Sequence, residues 1–145
     1  VTTIAYRNGI IAADTGLVGN GLRDCFADKI VKRADGSVAG ASGTAWWMAA
    51  FLEWFSQADK PISDLPVCEV STGVIVTKRT ITVVESDAGK VRSFPIRAKY
   101  YAIGSGCRLA LGAMFAGAHP VDAVRAAMAF DDSTHGRVVS LRVGK

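Results

Sequence analysis

Two short apolar runs near the start of the chain flank Asn8-Gly9. Asn-Gly is the pair best suited to the positive φ angles of a two-residue hairpin turn, so the first fourteen residues predict two antiparallel strands. Such a hairpin sets the chain start beside the residues around Asp14. A threonine at a chain start can supply a hydroxyl nucleophile together with its own general base, the free α-amino group. The plainer reading is an ordinary buried hairpin. The rest of the chain has to separate the two.

At 145 residues the chain is expected to form one domain over 1–145, long enough to bury a core without staples. Half the residues are hydrophobic and 21% are charged, which argues against disorder and against a membrane protein. No apolar run reaches transmembrane length, and Val1-Thr2-Thr3 is not a basic signal-peptide start, so no membrane partner is expected. The net charge of +4 is spread without a long basic run and gives little reason to expect nucleic acid. Cys25, Cys68 and Cys107 are odd in number and far apart, which fits a reducing cytoplasm better than a disulfide framework or a zinc site. His119 and His135 lack ligand spacing and read as cap or loop residues, so no metal or organic cofactor is expected.

After the hairpin, the Gly- and Asn-rich stretch from Thr15 to Asp28 reads as an exposed loop. Lys29–Arg33 and Ser37–Ser42 read as strands about an Asp35-Gly36 turn. The small residues of the second suggest that a backbone or ligand comes close. Thr44 is a plausible N-cap for a helix over Ala45–Ser56, with Trp47, Phe51, Trp54 and Phe55 on one stripe and Trp46 off it. That stripe reads as core; a subunit interface is the other reading of the extra aromatic surface. A linker with Pro61 and Pro66 leads to strands at Val70–Thr77, Ile81–Glu85, Val91–Phe94 and Lys99–Ile103. Helices follow over Cys107–Phe115 and, with Pro120 at its first position, Val121–Phe130; Val138–Val143 is a last strand. Helices alternate with runs of strands, which predicts an α+β fold with largely antiparallel sheets.

Five separated pieces carry the chemistry: Thr2-Thr3-Ile4, Ala12-Ala13-Asp14, Asp28-Lys29-Ile30, Ser42-Gly43-Thr44-Ala45 and Ile103-Gly104-Ser105-Gly106. Alone, each is ordinary: a strand-start lysine is usually solvated, and Gly-Ser-Gly before a helix is usually a turn or an anion nest. In this order they resemble the proteasome β-subunit family of N-terminal nucleophile hydrolases, in particular the HslV peptidase and its phage or prophage-type relatives. The resemblance implies a four-layer αββα sandwich and a homo-oligomer, with a ring expected. It also implies polypeptide substrates, an AAA+ unfoldase as a possible partner, and threonine-type peptide hydrolysis. Residue by residue, Thr2 matches the nucleophile, and Lys29 the lysine whose charge holds down the pKa of the α-amine. Asp14 matches the lysine's acidic partner and Gly43 the glycine whose N–H stabilises the oxyanion. Ser105 matches the serine that orients the amine, and Asp131 and Thr134 the pair that braces it. Leu17, Ala27, Val31, Ala41 and Ala45 match the lining of the specificity pocket, which suggests apolar side chains before the cut.

Thr2 rather than Thr3 is chosen by parity. Relative to HslV the hairpin is two residues shorter on each side of Asn8-Gly9, and only a two-residue deletion keeps each side chain on its face. The sequence departs from the family pattern in three ways. Val1 precedes Thr2, so the proposed base is an amide until Val1 is removed; a catalytically silent structural subunit is the alternative. One helix after Ala45–Ser56 is expected to be missing, and Thr134 and His135 replace a serine and a glycine.

Overall fold

A computed structural model describes residues 2–17 and 25–145. In chain order the strands are β1 (Thr3–Arg7), β2 (Ile10–Asp14), β3 (Gly16–Leu17), β4 (Cys25–Phe26), β5 (Ile30–Lys32), β6 (Val38–Ser42), β7 (Ser71–Val76), β8 (Ile81–Asp87), β9 (Lys90–Ile96), β10 (Tyr100–Gly104) and β11 (Val138–Arg142). The helices are α1 (Ala45–Ser56), α2 (Cys107–Phe115) and α3 (Pro120–Phe130). The opening hairpin forms as expected: Asn8 and Gly9 have φ of 50° and 79°, and Arg7 pairs with Ile10.

The hairpin becomes the centre of an antiparallel sheet ordered β10-β1-β2-β11, and a second antiparallel sheet runs β5-β6-β7-β8-β9. Alternation along β1 explains why the sheets stack. Ile4 faces Ile30, Val74 and Ile103 in a cluster between the two sheets, whereas Ala5 faces Ala110, Met114 and Val124 of α2 and α3. On the outer face of the second sheet Ala39 and Ala41 lie beneath Trp47, Phe51 and Phe55 of α1. The result is α1, sheet, sheet, then α2 and α3: the four-layer αββα sandwich.

The α1 layer is thin. A short 3-10 turn at Ile62–Asp64 stands where a second helix was expected to be missing, and Leu65 tucks into the α1 cluster. The buried stripe of α1 is Trp47, Met48, Phe51 and Phe55, so Met48 takes the place expected for Trp54. Trp54 is half-buried because its indole N–H reaches the Pro61 carbonyl at 3.0 Å. Trp46, off the stripe, is 53% exposed.

The expected exposed loop over Thr15–Asp28 needs correction at its ends. Thr15 and Gly16 are buried, and Gly16–Leu17 pairs with Cys25–Phe26. Strands of two residues have no periodicity to read. Gly19, Asn20 and Gly21 of that loop, and Val1, lie outside the described residues. The strand over β9 includes Pro95, which is tolerated because β9 is a sheet edge. Among the described residues no helix is long and apolar enough to cross a membrane.

Candidate active site

The site lies where the chain start meets the ends of β2 and β10, the approach to β5, and the loop after α3. Asp14 closes β2 and is fully buried, as is Lys29 just ahead of β5. Lys29 Nζ donates to Asp14 Oδ2 at 3.0 Å and also to the Gly16 carbonyl. Asp14 receives two further donors, the Thr3 N–H on Oδ1 at 3.0 Å and the His135 N–H on Oδ2 at 3.1 Å. A buried carboxylate with this many donors holds its ammonium partner in one geometry. Burial pushes the Lys29 pKa below its ordinary value, and the charge and hydrogen bond of Asp14 only partly oppose that.

A second network sits on the other side of the chain start. The Thr2 N–H donates to Ser105 Oγ at 3.2 Å, and Ser105 Oγ donates to Asp131 Oδ2 at 2.7 Å. Thr134 Oγ1 donates to the same Asp131 oxygen. That uses the one hydroxyl proton of Thr134, so across the 2.7 Å contact Thr3 Oγ1 is the donor. Burial raises the Asp131 pKa, but the hydrogen bonds from Thr134, Ser105 and the Ser133 N–H outweigh it and hold the carboxyl below its usual range. Thr2 itself is 1% exposed, whereas Ser105 is exposed.

Two glycines let the network close. A Cβ on Gly104 (φ 100°) would stand 1.9 Å from the Thr2 carbonyl oxygen, and one on Gly106 would stand 2.1 Å from Thr3 Oγ1. Both were visible in sequence only as a Gly-Ser-Gly turn. Without the pairing of Thr3 with Gly104, nothing showed what they approach.

Gly43 follows β6 with φ of 120°, which favours glycine, and leads into Thr44, the N-cap of α1. The residues matched to the specificity pocket are dispersed in character. Ala41 is wholly buried under α1, Leu17 and Val31 are half-buried, and Ala27 and Ala45 are exposed. Ala41 N–H bonds the Lys29 carbonyl at 3.1 Å, which ties that strand to the lysine.

Thr3, Gly106 and His135 were noted in the sequence without a role of their own, and Gly16 only as part of a loop; the structure brings all four to the site. His135 packs its ring on Gly16, where a Cβ would meet it at 2.3 Å, and its buried ring nitrogens have no hydrogen-bond partner among the described residues.

The four-layer sandwich is a proteasome-like fold. Among solved structures the chain is similar to eukaryotic HslV from Trypanosoma brucei, with a TM-score of 0.67 over 99% of each chain at 16% identity. At that identity the likeness is one of fold. No protein-family profile and no curated protein matches the sequence.

Proposed function

We propose that this chain is a threonine-type peptidase whose nucleophile is Thr2, active once Thr2 is the first residue. The observation that carries the reading is the run from the Thr2 nitrogen to Ser105 Oγ to Asp131, set at the same chain start as the buried Lys29–Asp14 pair. A bare structural hairpin has no need of a buried lysine, whose desolvation is costly.

With a free α-amine, the Thr2 hydroxyl attacks a peptide carbonyl carbon and its proton passes to the amine. Negative charge then forms on the carbonyl oxygen, where the Gly43 N–H is the proposed donor. The C–N bond breaks, the leaving amine takes the proton from the α-ammonium, and Thr2 carries an ester. Water, deprotonated by the same amine, attacks the ester; the acid leaves and the hydroxyl is restored. Ser105 orients the amine and Asp131 fixes Ser105. The Lys29 charge lowers the basicity of the amine so that it is free to accept a proton. Leu17, Ala27, Val31, Ala41 and Ala45 are the proposed lining for an apolar substrate side chain.

One observation favours the alternative, a silent structural subunit. While any residue precedes Thr2 its nitrogen is an amide, and in this form Thr2 is 1% exposed. Assembly with copies of the chain, for which a ring is our proposal, would cover exposed Phe115 and Phe130. An AAA+ unfoldase would then deliver unfolded polypeptide.

Intact mass of the purified protein, before and after an N-terminal-threonine-directed epoxyketone or boronate, tests the reading. A chain beginning at Thr2 that gains one inhibitor mass supports it, and Thr2→Ala then abolishes the adduct. A chain that keeps a preceding residue and never labels leaves the structural subunit.

A further inference from the structure

We infer that Ser71 is a positioning residue for the turn that presents the Gly43 N–H; the inference rests on the peptidase reading above. Thr44 is the N-cap of α1, and a residue at that position has no intrahelical acceptor for its own N–H. Ser71 Oγ supplies one from the neighbouring strand at 3.2 Å. The same side chain presses on Gly43: a Cβ there would stand 2.4 Å from Ser71 Oγ and 2.7 Å from Ser71 Cα. Gly43, at φ of 120°, is therefore held from one side by the Ser71 backbone and side chain, and its successor is hydrogen-bonded to that side chain.

Ser71 is itself over-determined. It opens β7, is 2% exposed, and turns its hydroxyl proton toward the Glu69 carbonyl or Cys68 Sγ. The segment leading to it is pinned twice. Ser86 Oγ accepts the Cys68 N–H at 2.7 Å and donates to the Cys68 carbonyl at 2.8 Å, and Trp47 Nε1 of α1 donates to the Pro66 carbonyl at 2.9 Å. Between these pins and Ser71 stands Val70, a β-branched residue at φ of 37° and 74% exposed. That conformation costs energy and gains no burial, so it persists because both ends of the segment are fixed. An oxyanion donor works only when its N–H is aimed beforehand, and a glycine turn lacks the stiffness to do this alone.

The test compares wild type, Ser71→Ala and Ser71→Cys, each processed to Thr2, by steady-state kinetics and amide hydrogen exchange. In Ser71→Ala the Thr44 amide loses protection, while Met48, which bonds the Thr44 carbonyl at 3.0 Å, keeps it. Its kcat falls about tenfold, short of the ~10²–10³-fold cost of losing a whole oxyanion donor. KM stays within about twofold, because the turn acts in the transition state. Ser71→Cys, with sulfur as a poorer acceptor, falls between. A working enzyme whose Ser71→Ala form keeps both kcat and Thr44 protection overturns the inference and leaves the peptidase standing. Wild type that neither hydrolyses peptides nor labels at Thr2 overturns the peptidase reading and takes the inference with it.

Discussion

The backbone N–H of Thr3 and the carboxylate of Asp14 meet at 3.0 Å, with Oδ1 accepting. This contact occupies the Thr3 nitrogen, whereas the Thr2 nitrogen faces Ser105. Strand alternation carries the same message. Thr3 shares the Ala5 face toward α3, so Thr2 falls on the Ile4 face between the sheets.

Thr3→Val should therefore keep the inhibitor adduct at Thr2 while lowering stability by about 1 kcal/mol, the usual worth of one hydrogen bond. Thr134 retains Asp131 as acceptor, which limits the damage. Mass spectrometry and urea unfolding read the two effects. Loss of the adduct in a folded Thr3→Val chain would move the nucleophile off Thr2.

Lys29 and Asp14 are a buried pair, and removing one partner strands the other's charge. Lys29→Met and Asp14→Leu should each cost roughly 3–5 kcal/mol in denaturant unfolding. The double variant should cost less than the sum. Strict additivity would show that the pair is not coupled.

The two shifted groups predict opposite limbs of a pH profile. The folded pKa of Asp131 lies below the ordinary value, so its contribution to stability is full above the unfolded pKa of 3.8 and is lost as pH falls through the folded one. Asp131→Asn should flatten that acid limb. For Lys29 the folded pKa lies below 10.5, so between the two values the unfolded chain binds more protons and stability gains with pH. Activity should do the reverse there, falling before pH 10.5 as the lysine charge is lost. Thermal unfolding and kcat measured across the same buffers separate the two trends.

Gly106→Ala puts a methyl into Thr3 Oγ1 and within 2.8 Å of Ala127 Cβ. Gly106 has φ of −92°, so the backbone tolerates alanine and the penalty is steric. We expect about 1–3 kcal/mol of destabilisation and weaker inhibitor labelling. A variant as stable and as reactive as wild type would mean that α2 and β1 are not so closely apposed.

Much of the fold was legible because local and global signals agree. Asn8-Gly9 takes the dihedrals its composition favours, α1 and α2 run over the residues expected, and Pro120 opens α3 behind His119, whose Nδ1 accepts the Val121 N–H. The site was legible only as a series of matches to a family. Gly106 faces Thr3, and His135 lies on Gly16, because of strand register and loop closure across the sheet, which no local pattern encodes. Trp54 was misplaced for a related reason: a side chain with one polar atom follows its acceptor rather than the stripe.

The partners of Thr2 and Thr3 are made long after them. Ser105 lies 103 residues after Thr2, and Thr134 lies 131 residues after Thr3. Contacts at such separations form only after long loops have closed, which slows folding. A nascent chain halted before β10 would carry the threonines and the Lys29–Asp14 residues, with no serine to orient the amine. On the proposed mechanism, hydrolysis cannot begin until Ser105 and Asp131 have been made and have folded against Thr2. If Thr2 is the nucleophile as proposed, the order of translation sets a delay on it that is separate from any removal of the residue before it.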